Sequence, residues 1–177
     1  MNLVDKVSAR LDSLRGQERR AVSLEDLQSW SVEDQAVIHV AIMVEPYLSK
    51  ICSGEKYIES RLTKVNISPF RRASKGDVIL FKRSGGPIVA IASVDDVLYE
   101  HLTEDGNAAS LADRFADGLG YEPGYVDTKI MARFASLLWL EDVRPIDAIF
   151  LRKRSRQAWL TIRPEGDPAA AYEQQLF

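Results

Sequence analysis

The sequence predicts an α+β fold, and three observations carry that reading. Two stretches near the start have helical spacing, residues 37 to 163 break into short apolar runs separated by turn residues, and a glycine pair between two runs marks a hairpin. At 177 residues and 46% hydrophobic, the chain is long enough for one domain with a substantial core and an appendage. The division expected is an N-terminal helical extension over 1–34, a β-rich domain over 35–163 and a polar, small-residue tail over 164–177.

Residues 2 to 16 put Leu3, Val4, Val7, Leu11 and Leu14 on one helical stripe, with Gly16 at its end. Ser23 is a good N-cap for a second helix, with Glu25 and Asp26 in its first turn and Leu24, Leu27 and Trp30 facing inward. These helices either pack on the domain and close an edge, or serve as a dimerisation arm or partner-binding element. Val37 to Val44 is nearly all apolar, as a strand buried on both faces is; His39 within it reads as a core residue. Pro46 suits the first turn of a short helix bearing Tyr47, Leu48 and Ile51, and Gly54 supplies its left-handed stop. Tyr57 to Lys64 reads as the second strand, residues 65 to 76 as a loop and Asp77 to Arg83 as the third strand. Ser84-Gly85-Gly86-Pro87 then turns the chain into a long strand over Ile88 to Tyr99, with a bend at Asp95-Asp96. Asn107 to Ala116 has helical spacing, glycines and a proline interrupt it, and Asp127 to Phe134 is expected as another helix; the insertion is a candidate lid. Leu137 to Val143, Ile149 to Lys153 and Gln157 to Ile162 are the remaining strands.

Gly54, Lys56, Glu59 and Arg61 spell GxKxxExR, which resembles the signature of ASCH (activating signal cointegrator homology) domains of the PUA-like superfamily. Gly76-Asp77-Val78-Ile79-Leu80-Phe81 is similar to that family's "GD-apolar" strand, and Gln157-Ala158-Trp159-Leu160-Thr161-Ile162 to its closing strand. The likeness spans roughly residues 37 to 163 and implies a mostly antiparallel β-barrel with flanking helices. The superfamily includes RNA-binding modules, metal-independent ribonucleases and an amidohydrolase acting on an acetylated cytidine. That amidohydrolase resemblance uses a lysine, a threonine and a downstream glutamate. Lys56 matches the lysine, Glu59 stands in place of the threonine, and residues 104 to 110 offer no clear glutamate match. A fold does not fix a function.

Strand alternation sets Tyr57, Glu59 and Arg61 on one face, and Ile58, Ser60 and Leu62 on the other. Ile58 and Leu62 are the core-facing pair, so Glu59 and Arg61 lie side by side with Lys56 at the turn. The functional reading is a pocket for a nucleobase or ribose-phosphate, with Glu59 accepting from an amino or hydroxyl group and the cations facing phosphate. The alternative is an ion pair that fixes the barrel entrance. If the chain is an enzyme, Lys56 and Glu59 hold the acid and base roles. A lysine acts as a base only when its pKa falls well below about 10.4, and a neighbouring carboxylate pushes the other way.

Overall charge is −3, which excludes a surface that coats nucleic acid throughout. Locally the balance reverses. Arg61, Lys64, Arg71, Arg72, Lys75, Lys82 and Arg83 face the single acid Asp77 between positions 61 and 83, and Arg152, Lys153, Arg154 and Arg156 form a second cluster. Such clusters point to RNA or a nucleotide as partner, bordering the pocket with loop 71–75. About five phosphate contacts give a log-log salt slope of roughly −3.5 on single strands. Tyr47, Tyr57 and Phe70 are candidates for base stacking, though Phe70 reads better as core. One cysteine, Cys52, fits a reducing compartment, and one Cys with two His gives no metal-ligand spacing, so no metal or other cofactor is expected. Without an apolar run of about 20 residues or a signal-peptide pattern, the chain is expected to be soluble and cytoplasmic, away from membranes. Nothing in the sequence fixes an oligomeric state.

Overall fold

Two capping boxes open the first two helices. Asn2 and Asp5 bond reciprocally at the start of α1 (Leu3–Ser13), and Ser23 and Asp26 do the same for α2 (Leu24–Asp34). Each box satisfies backbone donors that a helix start leaves unpaired. Val7 and Leu11 of α1 and Leu27 of α2 are fully buried in one cluster with Val40, Val78, Leu80 and Ile91 of the sheet. The apolar stripes of both helices are therefore occupied by the domain itself. Lys6 and Arg10 tie α1 to Asp34 at the end of α2.

The computed structural model describes residues 1–17, 20–103, 107–152 and 156–164. After α2 come β2 (Ile38–Met43), α3 (Tyr47–Ser53), β3 (Ile58–Thr63), β4 (Val78–Arg83) and β5 (Ile88–His101). Then follow α4 (Asn107–Arg114), α5 (Ala116–Leu119), a 3-10 turn (Val126–Lys129), β6 (Phe134–Arg152) and β7 (Trp159–Ile162). A short strand the sequence did not announce, β1 (Ala21–Ser23), precedes α2. No helix among the described residues is long and apolar enough to cross a membrane.

The strands form one sheet in the order β1-β6-β5-β4-β2-β7, with β3 also pairing β6. The pairs β2–β4 and β1–β6 are parallel, and the others antiparallel. The expected closed, mostly antiparallel barrel is thus an open, mixed sheet. Its seam lies between β3 and the β2–β7 pair, where side chains stand in place of a backbone ladder.

Three further expectations change. The two strands expected over 137–143 and 149–153 are one strand, β6, kept in register with β5 by irregularities that include the predicted bend beside Asp95. Ala90 lies opposite Pro145 at one of these irregular steps. The helix expected over 127–134 shrinks to the 3-10 turn, because Phe134 is recruited to start β6 opposite Thr63 and His101. The helix expected over 107–116 divides at Phe115 into α4 and α5. Lys153, Arg154 and most of the 164–177 tail fall outside the described residues.

His39 is fully buried, as a core histidine should be. The Trp159 indole N–H donates to its Nδ1 (3.1 Å), which leaves the proton on Nε2, 2.9 Å from the Asp77 carboxylate. Burial lowers the pKa of His39 against the opposing pull of Asp77.

Candidate functional site

The motif begins where α3 ends. Gly54 takes the left-handed conformation at the C-cap (φ 82°), a turn that L side chains resist. Lys56 follows and folds inward, 2% exposed. Its Nζ donates to the carbonyls of Ile58 (2.6 Å) and Leu119 (2.9 Å), and lies 3.7 Å from Glu59 Oε2. Gly120 lets the α5 segment pass this close: it has φ 58°, and a Cβ there would sit 3.1 Å from that of Lys56.

Glu59 is likewise 2% exposed. Its Oε1 accepts from Arg61 Nε at 2.9 Å, whereas its buried Oε2 has no hydrogen-bond partner among the described residues. Arg61 spans the seam. One Nη donates to the Ile42 carbonyl (3.1 Å), the other reaches the Ala158 carbonyl (3.4 Å), and the guanidinium lies 5.1 Å from the Trp159 ring centre. Side-chain bonds to β2 and the β7 approach thus take the place of the barrel-closing strand pair. The amine, acid and guanidinium expected from the motif do converge on one concavity, a cavity of about 510 Å³.

Its walls come from distant parts of the chain. Tyr121 and Tyr125 stack at 4.4 Å between ring centres, and Tyr47 meets Tyr125 edge-on at 5.4 Å. The Tyr121 hydroxyl is 2.6 Å from Ser60 Oγ, and its ring faces Lys56 Nζ at 5.5 Å. Lys129 and Arg156 also line the cavity. Burial pulls the Lys56 pKa down, with Glu59 acting in the opposite sense. Desolvation therefore outweighs the carboxylate, the reverse of what adjacency alone suggests. Burial also pushes the Tyr121 hydroxyl up, and the Tyr125 hydroxyl up to about 12.

Solved structures of an ASCH protein from Zymomonas mobilis share this architecture. Two single-substitution variants each align with a TM-score of 0.56 at 15% identity, covering 78% of this chain and 95% and 93% of theirs. A third structure of ASCH from that organism gives 0.56 at 16% identity, covering 71% of this chain and 87% of the other. The chain has the ASCH-domain fold. No family model matches the sequence, and no curated protein matches it.

The ASCH fold scatters several residues that the sequence grouped. Loop 71–75 precedes β4 at the end of the strand away from the pocket. There Ser74 N–H bonds the Asp77 carboxylate, Lys75 pairs with Asp95 at 2.8 Å, and Arg72 bonds Asn66 and the Phe70 carbonyl. Lys82 and Arg83 lie about 20 Å away at the other end of β4; Lys82 bonds the Arg83 carbonyl and Arg83 pairs with Glu45. Arg152 is exposed opposite Ser23 of β1. Tyr57 is 44% exposed and rests against Gly118 outside the cavity. Phe70 is buried. No residue of loop 71–75 lines the cavity; its cationic lining beyond the motif is Lys129 and Arg156, while Arg154 lies outside the described residues. Tyr121, Tyr125 and Lys129 were not flagged from sequence; two tyrosines four apart among chain-breaking glycines and proline are the signal that marks them.

Proposed function

We propose that this ASCH-fold chain binds RNA or a nucleotide, with a base or ribose over Glu59 and phosphate at Lys129 and Arg156. The observation that carries the reading is the buried Oε2 of Glu59, which has Lys56 Nζ at 3.7 Å but accepts no hydrogen bond among the described residues, in a cavity walled by three tyrosines. A carboxylate oxygen with a cation nearby but no hydrogen bond still has room for an N–H or O–H donor, because a buried acceptor without a hydrogen bond carries a desolvation cost. Tyrosine rings offer stacking surface to any base. Neither Lys129 nor Arg156 forms an ion pair among the described residues, so both are available to an anion. The cavity volume falls within the usual range for small-ligand sites, about 300–1,000 Å³.

Calorimetric titration with the four nucleoside 5′-monophosphates and with a mixed-sequence RNA hexamer tests this directly. Binding by at least one probe is expected, weakening about tenfold or more in Glu59→Gln, since hydrogen bonds to charged groups contribute about 1.5–3 kcal/mol. Unchanged affinity in that variant refutes the placement.

A second reading, a metal-independent RNA or nucleoside hydrolase, is favoured by the lowered pKa of Lys56, which moves the amine toward the range of a general base. RNA cleavage that survives a chelator and vanishes in Lys56→Ala supports it; intact RNA after prolonged incubation excludes it for that substrate.

A further inference from the structure

Beyond the pocket, the register of the sheet builds a second surface. Thr63 lines the cavity, and across the sheet it lies opposite Phe134, which in turn lies opposite His101. Directly opposed residues present their side chains on the same face. The row therefore starts at the pocket and runs across two more strands, about 10 Å in all. His101 is exposed, and its ring meets Phe134 at 5.1 Å and the buried Phe70 at 5.2 Å. Arg71 is held in the left-handed region (φ 54°), with its guanidinium 5.3 Å from the Phe70 ring centre.

Several cations elsewhere on the molecule are committed to acids. Lys6, Arg10, Arg20, Lys50, Lys75 and Arg144 all meet acids. Exposed Arg71 forms no ion pair among the described residues, and the acid beside His101 in sequence, Glu100, is held by Arg114. An exposed aromatic edge beside a guanidinium without an ion pair suits a base stacked beside its phosphate.

We infer that His101 and Phe134, with Arg71 beside them, form a subsite for the nucleotide adjacent to the one in the pocket, so that the ligand is a single-stranded RNA rather than a free nucleotide. This rests on the pocket reading and fixes the class of its ligand. The strand crosses Thr63, lays its next base against His101 and sets its phosphate at Arg71.

Affinities of wild type, His101→Ala, His101→Phe, Arg71→Asn and Glu59→Gln for a mixed-sequence RNA hexamer and for each nucleoside 5′-monophosphate test the subsite. Asparagine is chosen at position 71 because it tolerates the left-handed backbone. His101→Ala is expected to weaken hexamer binding roughly tenfold, as loss of one stacked base does, and to leave monophosphate affinity within about twofold. His101→Phe should retain the hexamer affinity. Arg71→Asn should flatten the log-log salt dependence of hexamer binding by about 0.7, one phosphate contact on a single strand. Hexamer affinity and salt slope unchanged in both His101→Ala and Arg71→Asn overturn the subsite while leaving the pocket intact. Failure of wild type to bind any probe, or indifference of both probe classes to Glu59→Gln, overturns the pocket and the subsite with it.

Discussion

Replacing Glu59 with glutamine removes one negative charge from between two cations while keeping nearly the same shape. Its carboxylate oxygens lie 3.7 Å from Lys56 Nζ and 2.9 Å from Arg61 Nε. At an effective dielectric of about 20, unit charges at those separations attract by about 4.5 and about 6 kcal/mol. Those gross energies offset the cost of taking charges from water, so the net loss is smaller. Removing one member of a buried pair typically costs about 3–5 kcal/mol, because its partner stays buried and unneutralised. Arg61 retains its carbonyl acceptors, and the glutamine oxygen can still accept from Nε, so the lower end of that range applies. For a domain of this size about 3 kcal/mol corresponds to a melting temperature about 6–12 °C lower, readable by circular dichroism at neutral pH. Lys56 bears most of the damage. Without Glu59 to support its charge its pKa falls further, the unfolded chain holds the proton more tightly, and the deficit should narrow as pH rises toward about 10. Adding Lys56→Met to Glu59→Gln should restore part of the loss, since the orphaned ammonium is then gone. A Glu59→Gln melting temperature within about 2 °C of wild type, or a double variant as unstable as the sum of the singles, refutes the coupled-charge account.

Two other predictions concern the sheet and the α5 segment. His39 has its folded pKa lowered below 6.5 by burial, so the unfolded chain takes up that proton first as pH falls. The stability it contributes is complete above about 6.5 and declines below; the urea midpoint should therefore drop more between pH 7.5 and 5.5 in wild type than in His39→Gln, and an equal drop in both contradicts this. In Gly118→Ala the new Cβ would lie 2.5 Å from Ile58 Cδ1 and 2.7 Å from Tyr57 Cε2, a clash that should destabilise by about 1–3 kcal/mol. An unshifted denaturation midpoint would mean that the α5 segment does not rest on β3.

The elements that the sequence announced are those whose signals are local. Ser23 with Asp26, Pro46 with Gly54, and the glycine pair at 85–86 each mark a boundary within a few residues of where the structure has it. Alternation along β3 was enough to pair Glu59 with Arg61 and to send Ile58 and Leu62 into the core. Closure of the sheet was not local. It depends on whether β3 meets β2 or β7 by backbone or by side chain, and nothing inside Tyr57–Lys64 encodes that choice. The pocket walls were hidden for the same reason: Tyr121, Tyr125 and Lys129 reach the site through a segment 65 to 73 residues downstream of Lys56. The run of cations over 61–83 misled because sequence proximity ignores the length of β4, which carries Lys75 and Arg83 to opposite ends of the sheet and to separate acids.

The guanidinium at the seam has a consequence for how this architecture can change. Where a β-sheet closes on itself, the aperture is fixed by strand count and can be altered only by rebuilding the fold. Here its width is set by the reach of one long side chain anchored to two carbonyls. A single substitution at Arg61 would thus alter the opening at the seam while every strand keeps its backbone partner, and its cost would fall on Glu59, left buried without its guanidinium.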